Sequence, residues 1–295
     1  MNFYARTDLA CESLAEIDPE IDGVTKREET VGDLRVLELC ITKEAAARRL
    51  EKPLGRYLTV VCGRVNLLGD REELQLQKLL ADRLSEMAQE LTRAKIDSDF
   101  KIFVAGLGNS EMTADAIGPR TVGYLTATRH LQKHESELYR SLGCSSLSAL
   151  SPGVLGQTGI ETLELLRGVV EHVKPNLVLV VDALAARSCE RLASTVQLSD
   201  AGIAPGSGVG NHRNAITHES LGVPVIALGV PTVVNSATLV YDALRQAGIG
   251  EIAPSLQSVL ENGKSFFVSP KDCDVITDRV SRLLAGAIRE AFTGI

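Results

Sequence analysis

The chain alternates between short apolar runs and longer stretches in which apolar residues recur among charged ones. Residues 34–39 alternate apolar and polar positions and predict a strand, and residues 56–61 predict a second one. Residues 71–95 repeat Leu and Ala at helical spacing, which predicts an amphipathic helix. Residues 1–32 are polar and acidic with several turn signals, so we expect an extended or loosely ordered arm.

The second part of the chain has a different pattern. A short apolar run spans 101–105, and nearly continuous runs, which are typical of strands buried on both faces, span 176–181 and 224–229. Helical patterns accompany these runs over about 113–129, 159–171, 236–247 and 271–292. This alternation predicts an α/β fold of three layers, in which helices cover a mostly parallel or mixed sheet.

Composition narrows the class of protein. Of the 295 residues, 44% are hydrophobic and 23% are charged, as in a globular domain with a sizeable core. The net charge of −7 argues against direct binding to nucleic acid and favours a basic protein as partner. The six cysteines show no CxxC spacing, so we expect reduced thiols and no zinc knuckle. We find no signal-peptide core and no apolar stretch long enough for a membrane span, so we expect a cytoplasmic protein without membrane contact.

Two aspartates are the strongest candidates for chemistry. Asp182 comes directly after the 176–181 run, and Asp115 follows the turn at 106–109. Ligand sites in such sheets lie beyond the carboxyl ends of the strands, so both carboxylates are expected to face one crevice. Close carboxylates share a proton, which supplies a general base and a general acid for peptide hydrolysis. The structural alternatives are a helix cap for Asp115 and a loop anchor for Asp182, and an acid pair is also a plausible metal site.

Two glycine-rich stretches offer backbone amides to an anion or an oxyanion. The candidate substrate-binding or oxyanion residues are Gly108, Asn109, Gly206, Gly208, Gly210 and His212. Neither stretch completes a P-loop or a dinucleotide fingerprint. Tight turns explain the glycines equally well, and a solvated loop position is the alternative for the histidine.

Seven segments form an ordered set of motifs that extends over nearly the whole chain. They are Arg6–Ala10, Gly106–Asn109, Thr113–Pro119, Pro152–Thr162, Asp182–Ser188, Pro205–Asn211 and Pro231–Val234. As a set they resemble the germination protease family. The chain departs from the family pattern in a shorter segment before the C-terminal helix and in Asn235, where an acid is usual.

The resemblance implies a fold similar to that of the hydrogenase maturation endopeptidases, with Asp115 and Asp182 as the catalytic pair. It implies an endopeptidase that begins the degradation of small acid-soluble DNA-binding spore proteins during germination, in the forespore or spore core, by cutting after acidic residues. It also implies a homotetrameric zymogen that loses a short propeptide. It implies no cofactor, and a divalent metal held by the same acids stays an alternative.

The sequence Asp8-Leu9-Ala10-Cys11-Glu12 resembles the family's processing site and predicts a cut between Asp8 and Leu9. Residues 1–8 are then a propeptide, and 9–295 form one protease domain with a flanking part (9–98) and a core (99–295). Two other classes of function stay open. The glycine loops suit an α/β enzyme that handles phosphate or nucleosides, and the acidic surface suits a non-catalytic binder of spore proteins.

Overall fold

One mixed β-sheet organises the part of the chain that the computed structural model describes, residues 7–15, 21–206, 213–249, 253–262 and 266–294. Its strands are β1 (Val24–Val31), β2 (Leu34–Ile41), β3 (Gly55–Val61), β4 (Lys101–Gly106), β5 (Ser146–Leu150), β6 (Leu177–Ala186), β7 (Thr195–Ser199), β8 (Val225–Asn235) and β9 (Phe267–Val268). Across the sheet the order is β1-β2-β3-β7-β8-β6-β4-β5, and β9 pairs with the end of β8.

The sheet has a parallel half and an antiparallel half. Strands β8, β6, β4 and β5 run parallel to one another. Strand β7 joins them to β3, β2 and β1 through antiparallel pairs. The predicted α/β class with a mixed sheet is therefore confirmed. Strands from the first hundred residues belong to the same sheet as the rest, whereas the proposed domain boundaries stay a prediction.

Helices cover both faces of the sheet. They are α1 (Ala10–Ala15), α2 (Glu44–Leu50), α3 (Asp70–Thr92), α4 (Ile117–Gly123), α5 (Arg129–His134), α6 (Ser136–Leu142), α7 (Leu155–Thr158), α8 (Thr162–Val173), α9 (His218–Leu221), α10 (Ser236–Gln246), α11 (Pro254–Asn262) and α12 (Cys273–Phe292). Helices α3, α4 and α12 pack on one face. Helices α8 and α9 cover the parallel half on the other face, and α1 and α2 cover the antiparallel half there. No helix in the described ranges is long and apolar enough to cross a membrane.

Strand β6 illustrates why both faces need helices. Leu177, Leu179 and Val181 project into the core under α3 and α12. Val178 and Val180 project the other way and pack under α8. All five side chains are completely buried, which confirms the predicted strand with two apolar faces.

Two predictions about local structure were wrong. Residues 24–31 were expected in a loose arm but form β1, because backbone pairing with β2 compensates for polar, largely exposed side chains. The helix expected over about 113–129 is limited to α4, which a 3₁₀ turn at Thr113–Asp115 precedes. The hydroxyls of Thr277 and Thr232 donate to the carbonyls of Thr113 and Ala114, and these contacts hold the turn outside the helical path.

Helix α4 begins so close to β4 and β6 that position 118 has no space for a side chain. A Cβ on Gly118 would lie 2.2 Å from the Leu107 carbonyl oxygen and 2.5 Å from that of Val181. We expect Gly118→Ala to destabilise the protein by about 1–3 kcal/mol, the usual cost of overpacking, measured by urea denaturation. Gly123→Ala is the matched control, because a Cβ at this last residue of α4 meets nothing within 4 Å. Equal midpoints for the two variants would contradict the close packing.

Candidate active site

The first candidate aspartate lies inside a strand. The prediction that Asp182 follows the end of its strand was wrong, because β6 continues through Ala186. The equally extended β8 pairs with β6 as far as Ala186 and Val234, so backbone pairing carries the strand past a polar residue. Asp182 is only 5% exposed, and its Oδ1 accepts a hydrogen bond from the Ala183 amide at 2.9 Å.

Burial makes the ionised form of Asp182 unfavourable. Desolvation raises the pKa of Asp182 well above its usual value, and the negative charges of Asp115 and Asp8 raise it further. The Ala183 amide acts in the opposite direction but does not reverse the shift. Within the aspartate pair, Asp182 is therefore the member whose environment favours the protonated form more strongly.

The second candidate aspartate is held by a tight turn at the start of α4. The amide of Asn109 donates to Asp115 Oδ2 at 2.7 Å. Gly108 allows this approach, because its φ of +111° suits glycine and a Cβ there would lie 2.0 Å from the Asp115 carbonyl oxygen. On the other side, Thr232 of β8 donates to the Ala114 carbonyl at 2.6 Å. The turn is thus fixed to the same strand that flanks Asp182.

The surroundings of Asp115 favour its ionised form more than those of Asp182 do. Desolvation raises the pKa of Asp115, whereas the Asn109 amide and the positive charge of Arg213 lower it. Arg213, which follows the last glycine loop, was not among the site residues predicted from the sequence. The two carboxyls thus differ in environment, and this difference can separate an acid from a base.

Strand β6 has an open edge next to Asp182, because β4 pairs with it only as far as Gly106 and Val181. The N-terminal segment 7–12 occupies that edge. The Asp8 amide donates to the Ala185 carbonyl at 2.8 Å, and the Ala185 amide donates to Asp8 Oδ2 at 2.8 Å. One backbone and one side-chain hydrogen bond thus attach Asp8 to the sheet edge, and helix α1 begins two residues later at Ala10.

Two charged side chains fasten this N-terminal segment. Buried Glu12 accepts hydrogen bonds from the amides of Arg187 at 2.8 Å and Ser188 at 2.9 Å, and from the hydroxyl of Thr7. Lys52 donates from Nζ to the Thr7 carbonyl at 2.6 Å. Apart from the contact between Thr7 and Glu12, these partners lie far apart along the chain, so no local sequence pattern marks either role.

A cavity of about 170 Å³ opens beside the docked segment. Its lining includes Asp8, Lys52, Leu184, Gln197 and Gly229. Gly229 is the β8 partner of Asp182, so the cavity lies one strand away from Asp182, whereas neither aspartate lines it. Within the described ranges, no group of three or more His, Cys, Asp or Glu side chains is arranged to hold a metal ion.

The structure describes three of the six other candidate residues. Gly108 and Asn109 form the turn around Asp115, where the Asn109 amide is bonded to the carboxylate. Gly206 lies in a turn with a φ of +74°. Gly208, Gly210 and His212 lie outside the described residues. A role of these six residues in substrate or oxyanion binding stays a prediction.

Fold and site together define an α/β protein in which a buried aspartate and a half-buried one lie beside the N-terminal segment of the same chain. A model of the germination protease family matches residues 6–247. The germination protease of Caldanaerobacter subterraneus subsp. tengcongensis is 47% identical over 241 residues, which cover 81% of this chain and 72% of that protein. The germination protease of Clostridium perfringens strain 13 is 40% identical over 316 residues, which cover 98% of this chain and 95% of that protein.

The chain belongs to the germination protease family, and it is therefore a peptidase. Among solved structures, the [NiFe] hydrogenase maturation protease HycI from Thermococcus kodakarensis KOD1 aligns with 70% of this chain and 97% of its own. The sequence identity is 17% and the TM-score 0.35, a likeness too weak to support conclusions about activity.

The buried carboxyl predicts an unusual dependence of stability on pH. The native pKa of Asp182 is raised, so the native state binds this proton more tightly than the unfolded state does. The contribution of Asp182 to stability therefore falls as the pH rises from about 4, the unfolded pKa, through the native pKa. We expect Asp182→Asn to melt at a higher temperature than wild type at neutral pH, with a difference that shrinks toward pH 4.

Asp278→Asn is a control of opposite sign. Hydrogen bonds from Tyr124 and Arg282 lower the pKa of Asp278, so its carboxylate stabilises the fold above the unfolded pKa and loses this effect as the pH falls. This variant should melt below wild type at neutral pH. A melting temperature for Asp182→Asn below that of wild type at every pH would contradict the burial penalty.

Proposed function

We propose that the chain is an autoprocessing endopeptidase that cleaves small acid-soluble spore proteins, with Asp115 and Asp182 activating water. The observation that carries this proposal is the position of the Asp8–Leu9 bond. The bond belongs to a segment held on the open edge of β6, and Asp8 lies close enough to Asp182 to raise the pKa of that carboxyl. The predicted processing site is thus docked at the predicted catalytic pair.

The different environments of the aspartates suggest their roles. Asp115, whose carboxylate is supported by the Asn109 amide, takes a proton from water while the water oxygen bonds to the carbonyl carbon. Asp182 gives its proton to the peptide nitrogen as the C–N bond breaks. The products are a carboxylic acid and an amine, which exchange a proton to become carboxylate and ammonium. Transfer of the proton on Asp115 to Asp182 restores the starting state.

The docked segment also supports a zymogen. A substrate strand that pairs with the open edge of β6 needs the Ala185 amide and carbonyl, and Asp8 occupies both. Leu9 and Ala10 are completely buried, so the uncut chain blocks the position next to the aspartates. In this proposal, removal of residues 1–8 opens that edge to spore proteins.

The contacts of Asp8 support a preference for an acidic residue before the cut. The Asp8 carboxylate accepts a hydrogen bond from the Ala185 amide. The cation of Lys52 also interacts with it: burial lowers the pKa of Lys52, whereas the charges of Asp8 and Glu12 raise it. A neutral side chain at this position would lack both interactions.

We also propose a homotetramer in the spore core, without direct contact to nucleic acid. Exposed apolar side chains on α10 and α11 support subunit contacts, namely Leu239, Val240 and Val259, which are 41%, 39% and 66% exposed. The acidic net charge suits a basic substrate better than a nucleic acid.

Asn substitution of either aspartate should stop cleavage of a purified small acid-soluble spore protein. General acids and bases contribute about 10²–10⁴-fold, so we expect Asp115→Asn and Asp182→Asn to lower kcat/KM by at least about 10²-fold. Mass spectrometry should show wild-type fragments that end at acidic residues. All proteins are produced with Leu9 as first residue, so that activity does not depend on processing. Asp33→Asn, in the exposed turn between β1 and β2, is the control.

Three further outcomes of this assay discriminate between mechanisms. Activity lost with EDTA and restored by a divalent metal would replace the metal-free mechanism with a metal held at the same acids. Wild-type rates in both Asn variants would keep the peptidase and reject the aspartate mechanism. Intact substrate with every protein would favour a non-catalytic binder.

Processing should remove residues 1–8. We expect purified mature protein to begin at Leu9, because the bond before it is docked at the aspartates, as N-terminal sequencing will show. Asp8→Ala should slow processing, since it removes the carboxylate that binds the Ala185 amide. Asp22→Ala, an exposed acid further along the chain, is the control. A mature N-terminus at another residue would reject this site.

A further inference from the structure

Strand β7 places a buried glutamine in the same cross-strand row as Asp182. Gln197 pairs with Gly229 of β8, and Gly229 pairs with Asp182 of β6. Paired residues project their side chains from the same face of a sheet. Glycine has no side chain, and the space above Gly229 is filled by the side chain of Leu184, so Leu184 lies between the Gln197 amide and the Asp182 carboxyl. The two residues are separated by two strand spacings or roughly 10 Å.

The N-terminal segment lies against this glutamine. Gln197 donates from Nε2 to the Asp8 carbonyl oxygen at 3.1 Å, and its Oε1 accepts from the Ala10 amide at 2.8 Å. An amide N–H can only donate, so the contact with Ala10 determines which end of the Gln197 side chain points to Asp8. The side chain is 7% exposed, which keeps it in this orientation. The oxygen that it contacts is the carbonyl oxygen of the Asp8–Leu9 bond.

We propose that Gln197 is a catalytic residue for cleavage of the Asp8–Leu9 bond, donating a hydrogen bond to the carbonyl oxygen as that oxygen becomes an oxyanion. This inference rests on the autoprocessing proposed above. When the water oxygen bonds to the carbonyl carbon, the π electron pair moves onto the Asp8 oxygen. Gln197 transfers no proton in this step. It stabilises the new charge until the pair re-forms the C=O bond and the C–N bond breaks.

The geometry fits such a donor. Effective oxyanion donors lie about 2.7–3.1 Å from the oxygen and are fixed before the reaction, in a site with little water. Gln197 is buried, oriented by Ala10 and already in contact with the carbonyl oxygen. Asp182 lies on the other side of Gly229, so donor and acid are on opposite sides of the row.

The rate of autocleavage of the full chain, followed by intact mass, tests this role. Gln197→Met keeps the length of the side chain and removes both hydrogen bonds, so we expect the first-order rate to fall about 10²–10³-fold. Gln75→Met is the matched control, because Gln75 also donates from Nε2 to a backbone carbonyl, that of Val31 at 2.9 Å. Its rate should equal that of wild type.

Gln197→Glu separates donation from docking. A carboxylate keeps an acceptor for the Ala10 amide but has no donor, so cleavage should be slow at high pH. Protonation restores an O–H donor, and the ratio of variant to wild-type rate should therefore rise as the pH falls. Docking of the segment is measured by hydrogen exchange in chains that also carry Asp182→Asn and therefore stay uncut. In these chains the amides of residues 9–12 should exchange as slowly in the Gln197→Glu variant as in the protein that keeps Gln197.

The outcomes separate this role from the proposed processing. A wild-type chain that is not cut between Asp8 and Leu9 would refute the processing site and, with it, the role of Gln197. If wild type is cut normally and Gln197→Met is cut at the same rate, the role of Gln197 is refuted, whereas the processing site stands. A rate ratio of Gln197→Glu that is independent of pH, with faster amide exchange, would show that Gln197 only clamps the segment.

Discussion

The difference in length between β4 and β6 is the constraint on which the site depends. Strand β4 stops at Gly106, opposite Val181, whereas β6 continues beside β8 to Ala186. Backbone groups on the uncovered edge of β6 need partners, because an unpaired buried amide or carbonyl is costly. In the uncut chain Asp8 provides them. The N-terminal segment thus completes the edge that we propose for a substrate strand.

The same arrangement buries an ionisable group at a position where it lowers the stability of the fold. Asp182 lies one position beyond the last β4 pair, and burial together with the charge of Asp115 raises its pKa. Such a carboxyl costs stability at neutral pH, a cost typical of active sites. The glycine at position 118 brings α4 against the end of β4, and the one at 108 lets the loop close around Asp115. The fold is therefore locally adapted to hold two acids near each other.

What could be predicted from the sequence depended on local pattern. The apolar runs at 101–105 and 176–181 became β4 and β6, because buried strands need apolar side chains on both faces. Asp115 and Asp182 stood out because they follow such runs. Strand β7 was missed although its five residues alternate polar and apolar side chains; that pattern is typical of a half-exposed strand, whereas all five of these side chains are buried. The docking of Asp8 depends on Ala185, which is 177 positions away. Because the two residues are so far apart along the chain, no pattern of neighbouring residues could predict this contact.

The contacts of Asp8 connect the proposed processing with the proposed specificity. In the uncut chain, the Asp8 carboxylate meets the Ala185 amide and offsets part of the cost of burying the Lys52 cation. If residues 1–8 leave as proposed, that amide loses its acceptor and that cation loses one of its counter-charges. An acidic side chain of a substrate restores both interactions, whereas a neutral one restores neither. Removal of the propeptide would therefore create the preference for an acidic residue at the place that the propeptide's own acid had filled.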